Sequence, residues 1–154
     1  LNKFLEGFKM IELKKYSGHI RNWISLCDEL NIDNTLPRAE REEAIIIAAY
    51  KKWGGDMANH IYGMFALALY DSDTDTLFCL RDQFGTKPFY YYVTDDGRLL
   101  YGTTIREIME SDGFRKELNQ KMLQIYLTMT YTTGEETFFE GVKKPLPRKI
   151  NFTI

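Results

Sequence analysis

Residues 64–80, MFALALYDSDTDTLFCL, contain two apolar runs joined by a short polar segment. Continuous apolar runs of this length predict strands that are buried on both faces. The turn-forming residues 71–75 predict a hairpin loop between them. Residues 89–93, FYYYV, and 99–101, LLY, repeat the arrangement around a second turn at 95–97. The sequence therefore predicts a four-stranded antiparallel meander in the middle of the chain.

Helices are predicted on both sides of this meander, because apolar residues recur there at three- and four-residue spacing. They are expected at about residues 20–31, 37–52, 105–109 and, with Asn119 as the N-cap, 119–127. Two further strands are expected at residues 8–13 and, as a terminal edge strand, at 150–154. Helices before and after an antiparallel sheet favour an α+β, layered fold.

Composition and charge exclude several classes of protein. The chain has 154 residues, the size of one domain, and its net charge of −2 lacks the basic excess of a nucleic-acid binder. No apolar run approaches the roughly 18 residues that span a bilayer, and no signal-peptide pattern is present, so no membrane partner is expected. Cys27 and Cys79 lie in apolar patterns without metal-ligand spacing, which predicts buried free thiols in a reducing, cytoplasmic setting.

Motifs for metals, phosphates and common nucleophiles are incomplete. Asp71 begins an EF-hand-like spacing of three aspartates, but Thr76 replaces the required glycine and Asp82 replaces the terminal glutamate. His19 and His60 have no second ligand at metal-binding spacing, and glycine-rich phosphate loops and a GxSxG motif are absent. The sequence thus predicts a solvated hairpin loop, no metal site and no cofactor.

Residues 81–88, RDQFGTKP, are unusual because a strongly apolar strand runs directly into two opposite charges, a glycine and a proline. Buried charges are normally paired or hydrogen-bonded. Arg81 and Asp82 are therefore expected to satisfy buried backbone groups or each other and, with Lys87, to hold this turn. A contact with a ligand or a partner is the alternative that the sequence leaves open.

Several motifs in order resemble the glutaminase domain of glutamine-dependent asparagine synthetases. Residues 64–71 and 77–91 are similar to the family pattern MFAFAxxD…LFLARDRFGxKPLYY. The RDxxGxKPxYY form favours this family over the amidotransferases that act on phosphoribosyl pyrophosphate or fructose 6-phosphate. Further matches extend the resemblance over about residues 16–147. They are Tyr16–Trp23 with FNGEIYNY, Tyr50–Gly54 with AYxxWG, Tyr101–Arg106 with FASEIK, and Thr137–Lys144 with TFFxGIKK.

The resemblance implies a four-layer αββα sandwich of the N-terminal-nucleophile type. In that family an N-terminal cysteine attacks the side-chain amide of glutamine, with its own α-amino group as the base. The released ammonia passes to an ATP-dependent synthetase domain or subunit, which is therefore the expected partner. Such chemistry needs an accessible thiol, an oxyanion hole and groups that hold the substrate.

The sequence departs from the family at the residues that carry this chemistry. Residue 1 is Leu, and only residues 1–15 stand where the family has its cysteine, its first strand and a substrate-binding arginine loop. Ser17 occupies the position of the oxyanion-binding asparagine, and the Gly18 N–H is the second donor of a remnant oxyanion hole. His19 replaces a glutamate of the FNGE motif. Glu42 matches the carboxylate that binds the substrate amine, so Ser17, Gly18 and Glu42 are the expected substrate-binding residues.

These observations favour one interpretation and leave two others open. In the first, residues 1–154 form a single glutaminase-like domain, incomplete in its N-terminal part, that binds a synthetase and does not itself hydrolyse glutamine. In the second, the chain is a truncated part of an active glutamine-hydrolysing asparagine synthetase. Ser17 favours the first, since truncation does not explain an internal substitution. The third is an α+β interaction domain without this ancestry, and an oligomer is compatible with all three.

Overall fold

The computed structural model describes residues 10–131 and 134–153, with residues 148–153 described by their backbone. Strands and helices alternate irregularly along the chain. The elements are β1 (Ile11–Ile20), α1 (Trp23–Leu30), α2 (Arg38–Trp53), a 3-10 helix (Gly54–Asn59), β2 (Gly63–Asp71), β3 (Thr76–Arg81), β4 (Tyr90–Val93), β5 (Leu99–Gly102), α3 (Ile105–Met109), α4 (Gln120–Met129) and β6 (Arg148–Thr153).

The main sheet has four antiparallel strands in the order β1-β2-β3-β6. Strands β2 and β3 form the predicted hairpin, in which Asp71 is paired with Thr76 and Asp75 takes a positive φ of 48°. Strand β6 pairs with β3 at the edge of the sheet, which confirms the predicted terminal edge strand as far as residue 153. Ile154 lies outside the described residues.

The predicted four-stranded meander is wrong, because β4 does not continue the main sheet. It pairs with β5 in a separate two-stranded sheet. The chain turns away directly after β3, where Gly85 has a φ of 61° and Pro88 has no N–H to donate to a ladder. The edge of β3 is instead occupied by β6, a segment about seventy residues later in the chain. Local patterns identify strands but do not specify such a distant partner.

The first strand is longer than predicted. A strand was expected at residues 8–13, yet β1 runs over 11–20, and α1 begins at Trp23 rather than at residue 20. The register shifts between Leu13 and Lys15 through a β-bulge, which inserts a residue and interrupts the alternation on which the prediction depends. Residues 8 and 9 lie outside the described part of the chain.

The helix predictions downstream are confirmed within one or two residues. Helix α2 ends at Trp53, and Gly54 with a φ of 54° follows as its C-cap. Helix α3 begins with a capping box formed by Thr104 and Glu107. The Asn119 side chain accepts a hydrogen bond from the Met122 N–H, which confirms it as the N-cap of α4.

Both faces of the main sheet are covered. Phe65, Leu67 and Leu69 of β2 pack against α1 and α2, whereas Ala66 and Ala68 face the opposite side and pack with Phe89. A third apolar cluster joins the β4–β5 hairpin to α3 and includes Tyr92, Ile108 and Val142. The architecture is therefore a mixture of helices and antiparallel sheets, as the predicted α+β class requires. Every helix of the described residues is too short or too polar to cross a bilayer.

Candidate functional site

Ser17 and Gly18 lie near the end of β1, opposite Ala66 and Phe65 of β2. Residues that are directly opposite in an antiparallel pair share one face of the sheet. Ser17 therefore lies on the face of Ala66, which packs toward the β4–β5 hairpin. Its side chain is half-buried, and its hydroxyl makes no hydrogen bond within the part of the chain that the structure describes.

The backbone groups of Gly18 face the outer edge of the sheet. The Phe65 N–H donates to the Asp82 side chain at 3.2 Å, and the Phe65 carbonyl accepts from the Asp82 N–H at 2.9 Å. Both backbone groups of Phe65 therefore point toward β3. The pair of Gly18 and Phe65 is thus a non-hydrogen-bonded pair, and the polar groups of such a pair point away from each other. In agreement, the Gly18 carbonyl accepts a hydrogen bond of 2.8 Å from Nη2 of Arg38.

Glu42 lies against this edge, on the second turn of α2, and its side chain is only 2% exposed. The Tyr16 hydroxyl donates to its Oε2 at 2.8 Å. Its Oε1 is within hydrogen-bonding distance of three groups. They are Nδ1 of His19 (2.8 Å), the N–H of Ile20 (3.2 Å) and Nε of Arg38 (3.2 Å). We call Tyr16, His19, Arg38 and Glu42 the Glu42 cluster.

These contacts determine the ionisation of the cluster. Burial opposes the charged form of Glu42, but the hydrogen bonds from Tyr16, His19 and Ile20 and the charge of Arg38 outweigh it, so the pKa of Glu42 lies below its usual range. The pKa of Tyr16 is raised, first by burial and then by its hydrogen bond to the Glu42 carboxylate. Glu42 is therefore an anion at neutral pH that can only accept hydrogen bonds, so the Tyr16 hydroxyl and an N–H at Nδ1 of His19 are its donors.

A second buried carboxylate, Asp82, organises the turn after β3. Its side chain is 3% exposed and accepts hydrogen bonds from backbone N–H groups of four residues and from one hydroxyl. The donors are the N–H groups of Phe65, Phe84, Thr86 and Lys87 and Oγ1 of Thr86. Burial opposes its ionisation, but these donors hold the pKa of Asp82 below its usual range.

Arg81 complements Asp82 by donating to carbonyl groups of the same turn and of the C-terminal segment. Its Nε donates to the Lys87 carbonyl at 2.9 Å, and its Nη1 donates to the Pro145 carbonyl at 2.6 Å. The prediction that Arg81 and Asp82 satisfy backbone groups is thereby confirmed. A role in ligand binding is not needed to explain either charge.

The depressed pKa values of Glu42 and Asp82 make the fold sensitive to acid. A carboxyl group with a lower pKa in the folded state stabilises the fold above its unfolded pKa of about 4, and this stability is lost as pH falls through the folded pKa. We expect the free energy of unfolding, measured by urea denaturation, to change little between about pH 7 and 5 and to fall below about pH 4. Glu42→Gln should reduce the acid dependence, whereas the exposed Glu43→Gln should retain it. An unchanged dependence in Glu42→Gln would contradict the assignment.

The two thiols are free and buried, as predicted, with Cys27 1% and Cys79 2% exposed. Burial raises the pKa of Cys79 to about 12, and burial is also the main cause of the raised pKa of Cys27. Both groups are therefore protonated at neutral pH and inaccessible to an electrophile.

Labelling with a thiol reagent tests this burial. In the native protein at pH 7.5 we expect both cysteines to react at least about 100-fold more slowly than in urea, because reaction requires local or global opening. Mass spectrometry of the labelled peptides reports each site separately. Rapid native labelling of either cysteine would show that its thiol opens to solvent.

The structure brings the three predicted site residues to one region and adds two that sequence reasoning missed. Glu42 contacts residues on both sides of the Ser17–Gly18 pair, although its contacts leave Ser17 itself untouched. Arg38 and Tyr16 were not predicted. Arg38 lies four residues before Glu42 on a predicted helix, and this spacing was a signal that the two side chains interact. No local signal indicated the role of Tyr16. Among the described residues, no group of three or more His, Cys, Asp or Glu is arranged to hold a metal ion.

Comparison with known proteins identifies the family. The model of a family described as a glutamine amidotransferase domain matches residues 10–153 of this chain. The chain belongs to the glutamine amidotransferase domain family. The resemblance to asparagine synthetases that the motifs indicated is thereby confirmed at the level of this domain.

The relatives of this amidotransferase domain are much longer proteins. A putative glutamine-hydrolyzing asparagine synthetase of Mycobacterium tuberculosis is 33% identical over 84% of this chain and 20% of its own length. Glutamine-hydrolyzing asparagine synthetase 1 of Bacillus subtilis is 27% identical over 90% of this chain and 22% of its length. Amidase chyE of Penicillium rubens is 34% identical over 67% of this chain and 15% of its length. The chain spans about a fifth of the length of the synthetases that it matches.

Proposed function

We propose that this chain is the amidotransferase domain of an asparagine-synthetase-type protein, and that on its own it does not hydrolyse glutamine. It acts as a scaffold or docking module for an ATP-dependent synthetase that forms amide bonds. The observation that carries this proposal is the burial of both thiols in apolar clusters of a glutamine amidotransferase domain. Covalent attack on an amide needs an accessible thiolate, and neither cysteine can supply one.

The layered packing supports the finer fold assignment within this proposal. One face of the main sheet packs on α1 and α2, the other packs on the β4–β5 hairpin, and α3 packs on that hairpin. This order of helix, sheet, sheet and helix is the one expected of an αββα sandwich. The two free thiols fit a reducing compartment, so we place the protein in the cytoplasm.

The proposed glutamine site consists of Ser17 and Gly18. The Gly18 N–H faces the outer edge of β1 and is the first donor for the amide oxygen of glutamine. The Ser17 hydroxyl, which has no partner among the described residues, is the second. A hydroxyl has a shorter reach than the asparagine amide of the family pattern. An oxyanion that this shorter side chain does not reach keeps only the Gly18 donor. Losing one oxyanion donor typically lowers the rate about 100–1000-fold, which agrees with binding without turnover.

A second candidate function is supported by the length of the relatives. The matched synthetases are about five times longer than the region they share with this chain, and their names include glutamine hydrolysis. In this alternative, the chain is a part of an active enzyme, and a cysteine outside these 154 residues is the nucleophile. The Ser17–Gly18 site would then serve catalysis instead of binding alone.

Ammonia release distinguishes the two functions. The purified 154-residue chain is incubated with glutamine and, separately, with a glutamine-analogue electrophile such as 6-diazo-5-oxo-norleucine. We expect no ammonia above a protein-free blank and no mass increase. Ammonia release together with a label on Cys27 or Cys79 would refute the proposal. The same assay on the longest natural reading frame that contains this chain supports the alternative if the label is found on a cysteine outside it.

A further inference from the structure

We infer that Glu42 is a positioning residue that fixes the outer edge of β1 through Arg38, and that it does not bind the α-amino group of a substrate. The site beside it would then accept ω-amides of short dicarboxylic acids whether or not they carry an α-amino group. The role of Glu42 follows from its contacts alone. The class of ligand rests, in addition, on the proposed glutamine site at Ser17 and Gly18.

The Glu42 carboxylate is already occupied by donors of this chain. An ionised carboxylate accepts about four hydrogen bonds, and Glu42 already accepts one at Oε2 and three at Oε1. All of these donors belong to this chain, and the side chain is 2% exposed. An α-ammonium group of a substrate would have to enter a carboxylate that is almost inaccessible to solvent, and displacing the N–H of the fully buried Ile20 would leave it without an acceptor, which is costly.

The same contacts connect α2 to the backbone around Gly18. Arg38 donates Nε to Glu42 at 3.2 Å and Nη2 to the Gly18 carbonyl at 2.8 Å. Glu42 also accepts from the N–H of Ile20, two residues further along the same edge. The carboxylate therefore orients the guanidinium, and the guanidinium holds the carbonyl of Gly18. Without the charge of Glu42, the guanidinium of Arg38 and the N–H of Ile20 lose the acceptor that holds them in place.

The positive charge of Arg38 remains available for a ligand. Arg38 has five N–H donors, of which its contacts with Glu42 and Gly18 use two. Its side chain is 57% exposed, and its remaining donors have no acceptor among the residues that the structure describes. A carboxylate is the group that matches them. The arrangement thus offers donors for an amide oxygen at Gly18 and for a carboxylate at Arg38, while the buried anion Glu42 already accepts from four groups of the described chain.

The role of Glu42 is tested without any ligand. We compare 1H–15N spectra of wild type, Glu42→Gln, Arg38→Met and the neighbouring, exposed Glu43→Gln as the matched control. The amide resonances of Gly18 and Ile20 should move in Glu42→Gln, and that of Gly18 should also move in Arg38→Met. Neither should move in Glu43→Gln. Because Arg38 is largely exposed, its variant should stay folded and report on Gly18 even if Glu42→Gln does not fold. Unmoved Gly18 resonances in Arg38→Met would overturn the positioning role.

The ligand class is tested by binding. Isothermal titration compares glutamine with 4-carbamoylbutanoate, which is glutamine without its α-amino group. We expect the two Kd values to agree within about threefold in wild type, and both to rise at least about tenfold in Arg38→Met. A preference of tenfold or more for glutamine that disappears in Glu42→Gln would overturn the inference. Binding of neither compound would refute the proposed glutamine site and the ligand class together, whereas the spectra decide the role of Glu42 in either case.

Discussion

Replacing Asp82 by alanine is expected to lower the free energy of unfolding by about 3–5 kcal/mol. The carboxylate is 3% exposed and receives hydrogen bonds from Phe65, Phe84, Thr86 and Lys87. Its removal leaves the N–H of the buried Phe65 and the N–H groups of the turn without this acceptor. Unsatisfied buried donors cost about 1–3 kcal/mol each. Relaxation of the turn toward solvent limits the sum.

Urea denaturation at pH 7 measures this effect, with Asp112→Asn as the control because the Asp112 side chain is 98% exposed. The control should change stability by no more than about 0.5 kcal/mol. Asp82→Asn retains one acceptor oxygen but places an amide among N–H donors, so it should lie between wild type and Asp82→Ala. It also provides the measurement if the alanine variant does not fold. A loss below about 1 kcal/mol in Asp82→Ala would show that the turn does not depend on this carboxylate.

The elements that sequence predicted correctly are those set by neighbouring residues. The β2–β3 hairpin follows from two apolar runs and a polar loop, and α2 ends where Gly54 allows a positive φ. The N-cap at Asn119 is a contact over three residues. Each of these depends on interactions within a few residues, which a local pattern records.

The elements that were missed depend on contacts between distant segments. The pairing of β3 with β6 joins residues about seventy positions apart, and the bulge after Leu13 hides the continuation of β1 from a period-two pattern. In the candidate site, too, local features were predicted and long-range contacts were not. Ser17, Gly18 and Glu42 were identified by position in a motif, but the saturation of Glu42 requires α2 to lie on the edge of β1. Only the packed structure shows that this carboxylate is already occupied.

Replacing Gly18 by alanine is expected to have an effect as large as that of Asp82→Ala, for two independent reasons. The φ of Gly18 is +140°, where a side chain is strained. A Cβ atom there would lie 2.1 Å from the Met64 carbonyl oxygen and 2.6 Å from Cα of Phe65, so the two strands would have to separate. Strain of about 1–3 kcal/mol and overpacking of about 1–3 kcal/mol together predict a loss of about 2–6 kcal/mol.

Two other glycines separate the contributions. Gly97 has a φ of +84° with open space around its Cβ position, so Gly97→Ala measures backbone strain and should cost about 1–2 kcal/mol. A Cβ on Gly63 would meet the His19 carbonyl oxygen at 2.2 Å, so Gly63→Ala measures the close approach of β1 and β2 from the opposite strand. If the strands approach as closely as the structure shows, the loss of unfolding free energy in Gly18→Ala should exceed that in Gly97→Ala. The difference should be about equal to the loss in Gly63→Ala. Equal losses in Gly18→Ala and Gly97→Ala would mean that β1 can move away from β2. The edge that holds Gly18 against Arg38 would then be adaptable, and its geometry would not be fixed before a ligand binds.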